Sequence, residues 1–180
     1  MLRITIPAKE WYDEKTETFL ETKETTISLE HSLVSISKWE SKWQIPFLSS
    51  SEKTFEQTLD YIKCMTTSQN VDPNVYLSLT KENFDSIASY INSPMSATTF
   101  RDDAQRGRNR EIITSELIYY WMVAAQIPFE CQKWHLNRLL TLIRICSIKN
   151  QPPKKMGKRG VMSQNAALNA ARRKRLNSSG

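Results

Sequence analysis

Apolar residues in this chain change period near residue 30. Leu2, Ile4 and Ile6 alternate with Arg3 and Thr5, which is the period of a half-buried strand. Phe19, Thr25, Ile27 and Leu29 predict one or two further short strands, with Asp13-Glu14-Lys15-Thr16 as a polar turn. Residues 1–29 are therefore expected to form a small antiparallel β-hairpin or sheet. Such a sheet is marginal alone and should lean on helices behind it.

From His31 onward the spacing lengthens. Leu29, Leu33, Ile36, Trp39 and Trp43 recur every three or four residues, as on one face of a helix. Gln44-Ile45-Pro46-Phe47 stops that helix, and the same four letters return as Gln126-Ile127-Pro128-Phe129. Both copies read as one helix-turn solution, in which proline breaks the chain and phenylalanine tucks into the gap. Ser49-Ser50-Ser51 offers caps for a helix carrying Phe55, Leu59 and Ile62 to about Met65. Asp72-Pro73 is a start signal, with Asp as cap and Pro at the first helical position, for a short turn of helix through Leu79. Thr80 begins another helix, with Phe84, Ile87, Ala88 and Ile91 as its buried face, and Ser93-Pro94 ends it. Residues 95–111 read as a loop whose charged run, Arg101 to Glu111, is a candidate contact surface.

Residues 112–150 form the longest apolar-rich passage. Leu117, Ile118, Trp121, Met122 and Ala125 share one helical face, and Thr114 or Ser115 can cap its start. Leu136, Leu139, Leu140, Ile143 and Cys146 repeat the pattern after Trp134, while Lys133, Asn137, Arg138 and Arg144 occupy other faces. Pro128 cannot continue the first helix and pushes Ile127 out of helical angles. The two helices are expected to fold back as a hairpin on which the rest of the chain packs.

With 180 residues, 39% of them hydrophobic, and a mean hydropathy of -0.51, the chain can bury one modest core. The expected fold is mainly α (α+β): one globular domain over residues 1–150, with residues 1–29 β and 30–150 helical, then a flexible basic tail over 151–180. No apolar run approaches the roughly 20 residues that span a bilayer. Residues 1–7 are too short and too alternating for a signal peptide. Cys64, Cys131 and Cys146 show no paired spacing, which suits a reducing compartment.

Charge is unevenly placed. Lys154, Lys155, Lys158, Arg159, Arg172, Arg173, Lys174 and Arg175, with no acidic residue, give the tail +8. Because the whole chain totals +6, residues 1–150 carry −2. The tail reads as Gln151-Pro152-Pro153, a flexible Lys154–Gly160 linker, then a short helix from Ser163 that Ala166, Ala167, Ala170 and Ala171 favour. An isolated helix that short is marginal in water, so the tail is expected to order only on a partner.

Candidate chemistry is sparse. Four glycines are too few for the phosphate-cradling motifs. Cys131 and His135, four apart, are the one suggestive pair, yet no third ligand or orienting carboxylate sits at ligand spacing. The plainer reading is a core cysteine beside a histidine that bonds a backbone carbonyl. His31 reads as a helix-start residue. No catalytic residue, metal or cofactor is expected. The tail would attract phosphates, but no aromatics interleave its cations for stacking, so nucleic acid is a secondary partner. Most tryptophans at helical spacing should be core, with one or two left to anchor a partner helix.

Leu29 to Trp43, Ile118-Tyr119-Tyr120-Trp121-Met122, Ile127-Pro128-Phe129-Glu130, Trp134 to Ile143 and Ala167-Leu168-Asn169-Ala170-Ala171-Arg172 resemble a family of siphovirus-like tailed-bacteriophage tail assembly chaperones. The likeness covers most of the chain. It implies a non-enzymatic protein that binds the long helical tape measure protein, keeps it soluble and leaves as tube subunits polymerise. It also implies self-association, no membrane, and a place in the cytoplasm of the infected bacterial host. The alternatives are a virion structural protein, either a head-tail connector or a minor head or tail component, and a nucleic-acid-binding regulator. The family often makes a longer product by ribosomal slippage, for which A-rich codons at Pro152-Pro153-Lys154-Lys155 would serve. Tyr120, Trp121, Trp134 and Arg138 on the helical passage, with Arg172, Arg173, Lys174 and Arg175 in the tail, are the candidate partner-binding residues.

Overall fold

The computed structural model describes residues 1–13, 17–49, 52–100, 111–151 and 157–177. The chain divides into two compact units, Met1–Ser147 and Ile148–Gly180. It is mainly helical, with a small antiparallel β element at its start.

In the first unit the alternating stretch forms β1 (Leu2–Ile6), β2 (Lys9–Asp13), β3 (Thr18–Thr22) and β4 (Thr25–Leu29). β1 pairs with β4 and β2 with β3, both antiparallel, in two separate two-stranded sheets that keep the same register, Leu2↔Leu29 to Ile6↔Thr25 and then Lys9↔Thr22 to Asp13↔Thr18. The two pairs follow one another along a ribbon interrupted where Pro7 has no N–H for the ladder. Its inner half buries Ile4, Ile6, Ile27 and Leu29 in the core. Its outer half leaves Tyr12 and Phe19 exposed as direct cross-strand partners, ring centroids 5.1 Å apart. The inner end is tied down by backbone bonds from Glu30 N–H to Met65 O at 2.9 Å and from Thr67 N–H to Ser28 O at 2.8 Å. The expected turn residues Glu14, Lys15 and Thr16 lie outside the described residues.

The centre of the helical part is α1 (Leu33–Trp43), not the predicted 112–150 hairpin. Ser32 and Ser35 form a capping box at its start, satisfying two backbone donors reciprocally. Leu33, Ile36 and Trp39 are fully buried. At roughly 1.5–3 kcal/mol for each buried large side chain, burying this face contributes on the order of 5–9 kcal/mol before the entropy of ordering it is counted. α1 packs against α2 (Phe55–Met65), α4 (Ser115–Ala124) and a 3-10 turn (Phe129–Lys133). The pair α4 with α5 (Leu136–Asn150) is not among the close element pairs of the described residues. Proline does end the first helix as expected. The passage then spends five residues in the 3-10 turn; α4 packs on α1, while the start of α5 is tied to His31 O and to the end of α3.

Thr54 and Thr80, with Gln57 and Asn83, make capping boxes that start α2 and α3 (Lys81–Asn92). Thr54 thus takes the capping role expected of Ser49-Ser50-Ser51, of which Ser50 and Ser51 lie outside the described residues. Asp72 caps the 3-10 turn Pro73–Ser78 through Asn74 N–H at 2.9 Å, as its sequence signal predicts. Two expected core positions are exposed: Phe55, which meets the Phe84 ring, and Ala88, whose place Tyr90 takes. The charged run at 101–110 lies outside the described residues.

The second unit holds α6 (Lys158–Leu176), which is exposed along its described length. It starts five residues before Ser163 and takes in Lys158, Arg159 and Gly160, which the sequence pattern assigns to a linker. Alanines favour it, Arg173, Lys174 and Arg175 suit the negative end of its dipole, and Asn177 closes it in the left-handed region. Residues 152–156 lie outside the described residues.

Candidate functional site

The two Gln-Ile-Pro-Phe copies shape the surface around α1 and α4. In both, glutamine takes the left-handed conformation, φ 54° at Gln44 and 53° at Gln126. Gln44 closes α1 with one bond to Glu40 O at 2.7 Å. Gln126 closes α4 with a doubled closure, Gln126 N–H to Val123 O at 3.0 Å and Ile127 N–H to Met122 O at 2.8 Å. Beyond the glutamine, the two copies bury opposite residues. Phe47 is 8% exposed and Ile45 37%, whereas Ile127 is 7% exposed and Phe129 54%. Phe47 fills the space between Trp39 and Tyr61 as predicted. In the second copy Ile127 is buried instead, its N–H bonded to Met122 O, and Phe129 is turned outward.

α4 is anchored by Ile118 and Met122, with Leu117, Trp121 and Ala125 half-buried beside them. Its outer side is nevertheless apolar: Tyr120 is 65% exposed and Val123 58%, with Phe129 next along the chain surface. Tyr119 fixes the edge, its hydroxyl donating to Gln132 Oε1 at 2.9 Å and its ring 6.4 Å from Phe129. A second locus lies at the start of α5, where the Arg138 guanidinium sits 4.2 Å over the Trp134 ring. They border a cleft of about 280 Å³ shared with Lys133, Glu30, Tyr90 and His135.

His135, in the wall of this cleft, meets a second buried histidine, His31. Leu136 N–H donates to His31 O at 2.7 Å, which draws the rings of His31 and His135 to 5.1 Å. His135 Nε2–H donates to Tyr90 O at 3.0 Å, while its Nδ1 accepts from Asn137 N–H at 3.3 Å. Asn137 Nδ2 adds bonds to Ile91 O at 2.9 Å and Ser93 O at 2.8 Å, so this corner closes the end of α3. His31 Nδ1 lies 2.6 Å from the Tyr61 hydroxyl. Burial, aided by the neighbouring His135, lowers the His31 pKa to about 4. Burial also lowers that of His135, against the pull of its backbone bond to Tyr90. The Tyr90 hydroxyl donates to Glu30 Oε1 at 2.6 Å, and burial with that carboxylate raises the phenol's pKa.

Cys131 and His135 do not share a helical face. Cys131 belongs to the 3-10 turn and His135 precedes α5, with both ring nitrogens engaged. Among the described residues no group of three or more His, Cys, Asp or Glu side chains is placed to hold a metal. Likewise, no described helix is long and apolar enough to cross a membrane.

Of the predicted binding residues, the structure unites Trp134 with Arg138, exposes Tyr120, and half-buries Trp121 at the edge of the core. Arg172, Arg173, Lys174 and Arg175 lie exposed on α6. Sequence reasoning missed Val123, Phe129 and Lys133. One signal was available, since residues 117–124 are apolar almost all round and a surface helix buries only one side. The chain matches no family model, no curated protein and no solved structure.

Proposed function

We propose that this chain is a non-enzymatic morphogenesis factor of a tailed bacteriophage, a tail assembly chaperone that holds the tape measure protein until tube subunits replace it. The resemblance carried by Leu29 to Trp43, Trp134 to Ile143 and the shorter stretches supports the reading. The observation that carries it is an apolar surface where Tyr120 and Val123 stand exposed on α4, a helix anchored in the core, and Phe129 stands exposed on the 3-10 turn that follows it. Large aromatic and branched side chains in that setting suit the apolar stripe of an amphipathic helix. Several copies along one rod would add weak contacts into firm retention.

Co-expression with the tape measure protein tests this. The chain should keep that protein soluble and co-purify with it, and Tyr120→Asp with Val123→Asp should abolish both while the circular dichroism spectrum stays unchanged. Equal tape measure solubility without the chain refutes the proposal.

A virion structural component is the second reading, favoured by α6, a basic helix exposed along its described length. Mass spectrometry of purified particles separates the two. A chaperone is absent from finished virions, and a component is present at fixed copy number.

A further inference from the structure

We infer that the cleft at the start of α5 binds carboxylate side chains of an acidic segment in a partner protein, gripped by Arg138 and Lys133 beside Trp134. This rests on the reading that the chain works by holding another polypeptide, and it names the chemistry recognised.

The Arg138 guanidinium carbon sits 4.2 Å from the centre of the Trp134 ring, a contact that holds the charged group at the cleft's edge, where its fork of donors suits a carboxylate. No acidic side chain among the described residues forms an ion pair with Arg138 or Lys133; the ion pairs there are Met1 N with Glu30 and Lys42 with Asp60. Glu30, the one acidic group among the described residues lining the cleft, is already engaged by the Tyr90 hydroxyl at 2.6 Å and by Met1 N at 3.0 Å. Two cations with no ion pair among the described residues therefore face a cleft whose described carboxylate is occupied. His135 adds no charge near neutral pH, since burial holds its ring neutral and Tyr90 O and Asn137 N–H take its nitrogens.

Size and shape favour a protein side chain over nucleic acid. About 280 Å³ is at the floor of the roughly 300–1,000 Å³ of ordinary ligand pockets, enough for one or two side chains. Single-stranded nucleic acid needs a track of cations with open aromatic faces, and here one face of Trp134 is covered by Arg138.

The test is a fluorescence anisotropy titration of the full chain with an acetylated, amidated, alanine-based helical peptide bearing a neutral dye and two glutamates one turn apart. The same peptide with glutamines is the control. The glutamate peptide should bind roughly tenfold more tightly, the worth of one charge-assisted pair, and should weaken as salt rises. Arg138→Gln should remove that preference, Lys133→Gln should reduce it, and replacing Arg172, Arg173, Lys174 and Arg175 with Gln should leave it intact. Equal binding of the two peptides, indifference to Arg138→Gln, dependence on the α6 cations, or tighter binding of a single-stranded oligonucleotide through Arg138 would each overturn the inference. If Arg138→Gln still captures the tape measure protein normally, the inference falls and the chaperone reading stands. If the glutamate preference holds while the tape measure protein is not bound, the reverse is true.

Discussion

Glu40 gives the sharpest test of how this fold is held. Its side chain is buried near the end of α1, where Oε1 accepts from Phe47 N–H and Oε2 from Ser115 N–H, each at 2.7 Å. One carboxylate thereby joins the turn after α1 to the first residue of α4, where the helix dipole also favours negative charge. Glu40→Ala withdraws the acceptor from both amides. A hydrogen bond to a charged group contributes about 1.5–3 kcal/mol, so the loss should be roughly 3–6 kcal/mol. That is a large part of the 5–15 kcal/mol typical of a domain, and corresponds to a fall in Tm on the order of 10 °C. Glu40→Gln keeps one oxygen acceptor and turns an NH₂ toward the other donor, so it should fall between wild type and Ala. Urea denaturation followed by circular dichroism measures the loss, and hydrogen exchange at Phe47 and Ser115 locates it. A cost for Glu40→Ala below about 1 kcal/mol, or no increase in exchange at either amide, would refute the two-bond account.

The same structure sets three further outcomes. Ser115 Oγ is buried with no partner at hydrogen-bond geometry among the described residues, so Ser115→Ala should be neutral or slightly stabilising in the same urea assay. His31 has its pKa lowered from 6.5 to about 4, so between those values the unfolded chain binds the proton first. Stability should be full above pH 6.5 and decline as pH falls to about 4, by about 3 kcal/mol; His135, shifted the same way, adds to the decline. Urea midpoints across that range with histidine proton NMR check it, and a flat profile refutes it. Gln44→Gly and Gln126→Gly should each stabilise by up to about 1 kcal/mol, because glycine enters the left-handed region without strain; thermal melts showing destabilisation would count against both.

The candidate surface is half legible in the sequence. Tyr120, Trp134 and Arg138 stand out there because aromatic and basic groups on a helix attract partners, and all three reach the surface at least in part. Nothing local marks Phe129 for exposure. Its copy-mate Phe47 has the same preceding residues and is buried, because Trp39 and Tyr61 stand across from it. Lys133 acquires meaning only beside the Trp134–Arg138 stack.

The sequence by itself determined the local elements. Leu2, Ile4 and Ile6 specify a strand, Asp72-Pro73 and Thr80 start helical turns, and Pro46, Pro94 and Pro128 each follow a helix end, since period, capping and ring closure act over a few neighbouring residues. Tertiary structure alone decided that α1 is the hub, that Glu40 holds Ser115, 75 residues further along the chain, and that His31 lies against His135. Those choices depend on which surfaces meet after the chain folds back. A buried polar group is tolerated only where distant backbone donors or acceptors happen to satisfy it, and one-dimensional spacing carries no record of them.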